Sequence, residues 1–159
     1  MKICCIIGHR NFKKDKELEL KTKRIVSDLI EKEKVTEFLF GSKSKFDDFC
    51  YDIISEYKYY YPNLKRIFIR AEYQIISDDY YKYLKLFYEE SYFYNDKLIS
   101  NKFCYIKRNQ VMIDKSDFCI FYFNDDYTPK TKTQSGTQIA YKYARKKGKT
   151  IFNLFNNYL

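Results

Sequence analysis

Apolar runs alternate with amphipathic stretches along almost the whole chain. Lys2–Ile7 is a short apolar run that breaks at Gly8-His9-Arg10, and it reads as a buried strand. Leu18, Ile25, Val26, Leu29 and Ile30 then recur at helical spacing with charges between them, so a helix follows, capped by Asn11 and running to about Lys34. Val35–Phe40 is a second strand, closed by Gly41. Ser44 and Asp47 have capping-box spacing ahead of a stripe of Phe46, Phe49, Cys50, Ile53, Ile54 and Tyr57. Pro62-Asn63 is a turn, and Lys65–Arg70 a third strand. Asp79–Glu90 predicts a tyrosine-dense helix, Ser91–Phe103 a loop, and Ile106–Lys115 a short helix. Asp117–Phe123 is a strong fourth strand. The polar loop Asn124–Gln134 leads to a helix capped by Ser135 that ends at Gly148, and Thr150–Phe155 is the fifth strand.

Strands that are apolar throughout, rather than alternating, are covered on both faces. Alternation of such strands with helices defines an α/β fold with a mainly parallel sheet. The expected architecture is a three-layer sandwich of five strands in the order 3-2-1-4-5, with residues 1–159 forming a single domain.

Composition narrows the function classes. The 159 residues are 45 % apolar with only two prolines, which supports a full core. The net charge of +9 attracts anions, nucleic acid included, but the basic residues are scattered and the chain is lysine-rich throughout. Nucleic acid is therefore the less favoured partner. Five cysteines without a CxxC pair, and one histidine, give no zinc pattern and no metal site. Four of the cysteines lie in apolar stretches, where cysteine acts as a small hydrophobe, and the odd count without a spacing pattern argues for a reducing cytoplasm. No stretch has the length and apolarity of a membrane span, so no membrane partner is expected.

In a parallel α/β fold, ligands bind beyond the C-terminal ends of the strands. Those ends carry the unusual residues of this chain: Gly8-His9-Arg10, Gly41-Ser42, Arg70-Ala71-Glu72 and Asn124-Asp125-Asp126, with Ser135-Gly136-Thr137 opening the last helix and Arg108-Asn109 opening the short helix. At a helix start the first amides lack intrahelical partners and suit a phosphate. A cap explains Ser135 by itself; it does not explain Gly136. Gly8 is either a strand end at positive φ or a close approach to ligand. His9 either holds its loop or carries a proton, and Arg10 offers a donor fork for phosphate. Arg70 and Glu72, two apart in a strand, share a face and either pair or contact sugar and phosphate. The tyrosine-rich stretch Tyr80–Tyr94 offers an aromatic wall for a base or the interface of a homodimer. The Walker A and GxGxxG patterns are absent, which disfavours an ordinary nucleotide triphosphatase or nicotinamide dehydrogenase.

The ordered set C-C-I-I-G-H-R10, F-L-F-G-S42 with Phe46-Asp47, I-F-I-R-A-E72, R108-N-Q-V-M-I-D-K-S-D-F-C-I-F-Y-F123 and S135-G-T-Q-I-A-Y-K-Y-A144 resembles the SLOG superfamily, the Rossmann-like proteins grouped around DprA and the LOG enzymes. Within it the likeness is to small bacterial and phage proteins that begin with an apolar strand and GHR. The resemblance implies a pocket for a nucleotide or ADP-ribose-like ligand, sensed or sequestered in defence or signalling. It implies phosphate held at Gly136-Thr137, with no cofactor beyond that ligand and no assigned catalytic residue. LOG enzymes cleave the N-glycosidic bond of nucleoside monophosphates, and Arg108 with Met112 matches their arginine and methionine. Their glutamate three residues after the threonine is Ala140 here, so binding is favoured over LOG-like hydrolysis. DprA-like association with DNA is the remaining alternative.

Overall fold

The computed structural model describes residues 1–95, 102–126 and 134–155. Among the described residues six strands and five helices alternate: β1 (Lys2–Gly8), α1 (Lys16–Glu31), β2 (Val35–Phe40), α2 (Lys45–Tyr60), β3 (Lys65–Arg70), α3 (Asp78–Phe87), β4 (Glu90–Phe93), α4 (Phe103–Lys115), β5 (Phe118–Tyr122), α5 (Gly136–Lys146) and β6 (Thr150–Asn153). They form one sheet in the order β4-β3-β2-β1-β5-β6, and every pairing among the described strands is parallel. The expected order of five strands is thus present as β3-β2-β1-β5-β6, and β4 adds a sixth outside β3.

Period-two alternation along β1 explains the layering. Cys4 and Ile6 point into one core, with Val26 and Leu29 of α1, Phe46 and Ile53 of α2, and Leu84 of α3. Cys5 and Ile7 point into the other, with Met112 and Ile113 of α4 and Ala140 and Ala144 of α5. The central strand is buried on both sides, as its unbroken apolar run requires.

Three expectations are corrected. The cap of α1 is Asp15, whose carboxylate accepts the Leu18 N–H at 2.8 Å; Asn11 lies upstream, and the helix ends at Glu31, before Lys34 turns at φ 62°. Helix α3 stops at Phe87, and Glu90–Phe93 is a strand where helix and loop were expected. The reason is a clamp from far along the chain. Glu89 accepts from the Arg66 amide at 2.7 Å and from Arg66 Nη2 at 2.8 Å, while its own N–H donates to Arg66 O at 3.0 Å. That clamp sets the chain alongside β3 just before β4 begins. Helix α4 begins at Phe103 rather than Ile106, so Arg108 sits in its second turn. Residues 127–133 of the polar loop lie outside the described residues, as do residues 96–101 of the expected loop.

Candidate functional site

Strand β1 pairs with β2 on one side and β5 on the other, and chain progression reverses there. Loops leaving the C-terminal ends of such a pair diverge to opposite faces and leave a crevice. A cavity of about 940 Å3 occupies it. Ten of the twelve residues expected at the site line it: Gly8, His9, Arg10, Gly41, Ser42, Arg108, Asn109, Ser135, Gly136 and Thr137. Arg70 and Glu72 do not. Strand β3 ends at Arg70, and the chain turns so that Arg70 Nη1 donates to the carbonyls of Tyr73 (3.0 Å) and Gln74 (3.5 Å). No Arg70–Glu72 ion pair forms; Glu72 instead accepts the Tyr105 hydroxyl, and Tyr105 lines the cavity. Asp125 and Asp126, the other strand-end carboxylates, are exposed outside it.

The α5 end of the cavity is donor-rich. Ser135 caps the helix, its hydroxyl accepting the Gln138 N–H at 3.1 Å. The amides of Gly136 and Thr137 make no hydrogen bond with the described residues, and the first turn holds no acid. A methyl group on Gly136 would meet nothing within 4 Å, so that position faces open space. Arg10, exposed on the wall, makes no ion pair or hydrogen bond with the described residues.

The glycines of the first two strand ends have a different reason. Gly8 is not at positive φ; a Cβ there would stand 2.2 Å from Phe46 Cδ1, so glycine is required by packing against a fully buried ring. A Cβ on Gly41 would meet Arg108 Nε at 2.6 Å and Met112 Sδ at 2.7 Å. Gly41 thus makes room for Arg108, whose Nη1 donates to the Gly41 carbonyl and whose Nε donates to Asn109 Oδ1 at 3.1 Å. His9 holds the loop after β5. Its N–H donates to Tyr122 O and its Nε2 accepts the Asn124 N–H, both at 3.1 Å. Burial lowers its pKa, and protonating Nε2 would break the bond from Asn124.

Sequence reading did not place Asp47 in the site. Only 3 % exposed, it lines the cavity floor. Its Oδ2 accepts the Ser42 N–H at 3.0 Å and its Oδ1 the Ser44 hydroxyl at 3.1 Å. Burial raises its pKa to about 6, against the downward pull of those bonds and of Arg108. The capping-box spacing predicts a bond to the helix start; what it hides is that Asp47 lies three residues before Cys50 and seven before Ile54, on the apolar stripe. Lys43 anchors the same loop from the opposite side, its ammonium 4.7 Å from the Tyr83 ring centre and within 6 Å of Tyr80 and Phe68. Part of the tyrosine-rich stretch therefore grips the site loop from outside rather than walling the cavity.

The all-parallel sheet, the helices on both faces and the cavity at the switch point define a Rossmann-like α/β protein. No family model matches the chain, and no curated protein matches it. Among solved structures it is similar to DNA processing protein A (DprA) from Streptococcus pneumoniae, with a TM-score of 0.60 and 15 % identity over 96 % of this chain and 50 % of that one. It is also similar to DNA processing protein A from Helicobacter pylori, described for its single-stranded DNA binding mode, with a TM-score of 0.61 and 17 % identity over 96 % of this chain and 64 % of that one. The chain spans between half and two thirds of the length of these neighbours, and the likeness is one of fold. Among the described residues no helix is long and apolar enough to cross a membrane, and no group of His, Cys, Asp and Glu is placed to hold a metal.

Proposed function

We propose that the protein binds a nucleotide or ADP-ribose-like phosphorylated ligand in this cavity, as a SLOG-type domain that senses or sequesters it. The GHR opening groups it, on this reading, with the small bacterial and phage proteins of that kind. The observation that carries the reading is the donor-rich end: the amides of Gly136 and Thr137 open onto a cavity that Arg10 and Arg108 also line. A helix N-terminus bears roughly half a positive charge, and two guanidinium groups add to it. At about 940 Å3 the cavity lies at the upper end of small-molecule sites, which run from about 300 to 1,000 Å3. That is ample for a dinucleotide-sized ligand and generous for inorganic phosphate. Holding is favoured over cleavage, because Ala140 stands where LOG enzymes carry their acid and both oxygens of Asp47 are already engaged.

The test is mass spectrometry of small molecules released from the denatured purified protein, followed by calorimetric titration of the wild type and Arg10→Ala with the ligand found. A charge-assisted hydrogen bond is worth about 1.5–3 kcal/mol, so the variant should bind roughly tenfold more weakly or worse. Equal affinities would remove Arg10 from the site. A second reading, single-stranded nucleic acid, is favoured by the H. pylori neighbour and the +9 charge. It predicts oligonucleotide binding that falls steeply with salt. Binding of the mononucleotide with a shallow salt dependence, and none of the oligonucleotide, would decide against it.

A further inference from the structure

The cavity has a second end that phosphate chemistry does not explain. Large apolar side chains scattered over a surface are ordinary, but here several line one cavity. Phe103 is 57 % exposed, Tyr105 39 % and Phe155 38 %, and all three line the cavity. Ile106, from the turn of α4 that carries the first two, lines it as well. Tyr105 is held at two points. Its hydroxyl donates to Glu72, and the Arg108 guanidinium lies 5.7 Å from its ring centre. A ring fixed before a ligand arrives loses little freedom when something stacks on it.

We infer that the first two turns of α4 form a nucleobase subsite, with Tyr105 the stacking ring and Phe103 and Ile106 the apolar flank. The ligand class is thereby narrowed to nucleotides with a planar base, as against sugar phosphates or inorganic polyphosphate. The inference rests on the phosphate-site reading above: phosphate at α5 fixes one end of the ligand, and the base lies against α4. Tyr105 and Phe103 are then specificity-determining residues. They act on the base, and the phosphate contacts at Gly136, Thr137 and Arg10 do not depend on them.

Titration of AMP and ribose 5-phosphate into the wild type and three variants separates the two ends. The wild type should bind AMP at least roughly tenfold more tightly than ribose 5-phosphate, the gain that stacking one base provides. Tyr105→Ala should remove most of that ratio by weakening AMP and leaving ribose 5-phosphate unchanged. Tyr105→Phe keeps the ring and should keep most of the ratio. Phe103→Ala, at an exposed helix start where truncation leaves the fold intact, should reduce the ratio in the same direction and is read alone if Tyr105→Ala melts early. Equal affinities of the two ligands for the wild type, or variants that weaken both ligands alike, would overturn the base subsite while leaving the phosphate site standing. If AMP, ribose 5-phosphate and ADP-ribose all fail to bind, the phosphate reading falls and the base subsite falls with it.

Discussion

Replacing Asp47 by asparagine isolates one buried carboxyl group in a site otherwise rich in cations. Asparagine has nearly the same shape. Its side-chain oxygen can still accept the Ser42 N–H, and its NH2 group can donate to the Ser44 hydroxyl once that hydroxyl turns. What disappears is the charge. In the folded protein, burial raises the Asp47 pKa from an ordinary 3.8 to about 6. A pKa raised in the folded state means that the folded protein holds its proton to higher pH than the unfolded chain does. The resulting stability is fully present below the unfolded pKa of 3.8 and is lost as pH rises through about 6. The shift corresponds to roughly 3 kcal/mol, an order-of-magnitude figure. Urea denaturation of both proteins between pH 4 and 7.5 makes the comparison, since every other titrating group cancels in the difference. At pH 4 the two should agree within about 1 kcal/mol, the scale of one rearranged hydrogen bond. By pH 7 the variant should have gained roughly 3 kcal/mol relative to the wild type. A difference that stays constant across the range would show that Asp47 titrates as an ordinary carboxyl group, and the account of the cavity floor would be wrong.

Gly136→Ala should leave thermal stability level or raise it slightly, because its methyl group meets open space and alanine favours helix by up to about 1 kcal/mol. Phosphate-dependent affinity should fall as that methyl crowds the anion; full affinity in a folded variant would take the turn out of the site. Ser135→Ala should behave oppositely, losing about 0.5–2 kcal/mol of stability by calorimetry as the cap is removed. Gly8→Ala should destabilise by about 1–3 kcal/mol or more in chemical denaturation, because Phe46 is fixed between Phe12, Phe49 and Tyr122 and cannot yield to a contact of 2.2 Å. An unchanged midpoint would show that the ring can move.

What was legible in the sequence was local. Unbroken apolar runs identify a doubly covered sheet, and serine caps at Ser44 and Ser135 fix two helix starts because the cap and the N–H that donates to it lie within one turn. Convergence of Gly8–Arg10, Gly41-Ser42 and Ser135–Thr137 on one edge follows from parallel topology alone. What was not legible depends on distant partners. Phe12 packs with Phe46, Phe49 and Tyr122, which holds the chain outside the helix past Asn11 and delays the helix to Asp15. The four residues of β4 carry no strand signature of their own and are set by Arg66, more than twenty positions back. The same holds for Gly8 and Gly41: the sequence shows that glycine is there, and only packing shows that Phe46 and Arg108 are the reason.

The seam between β1 and β5 has a consequence in time. Ile3 N–H bonds to the Asp117 carboxylate, 114 residues further along the chain, and Asp117 N–H returns a bond to Ile3 O at 2.8 Å. At roughly 5–20 residues per second, a ribosome makes the second partner on the order of ten seconds after the first. Through that interval one side of the central strand has no neighbour, and its apolar side chains and backbone donors stand open to chance pairing. The crevice where a ligand would lie therefore cannot form until β5 and the start of α5 have been made. A ligand of this cavity can act on the finished fold, and during synthesis it has nothing to hold.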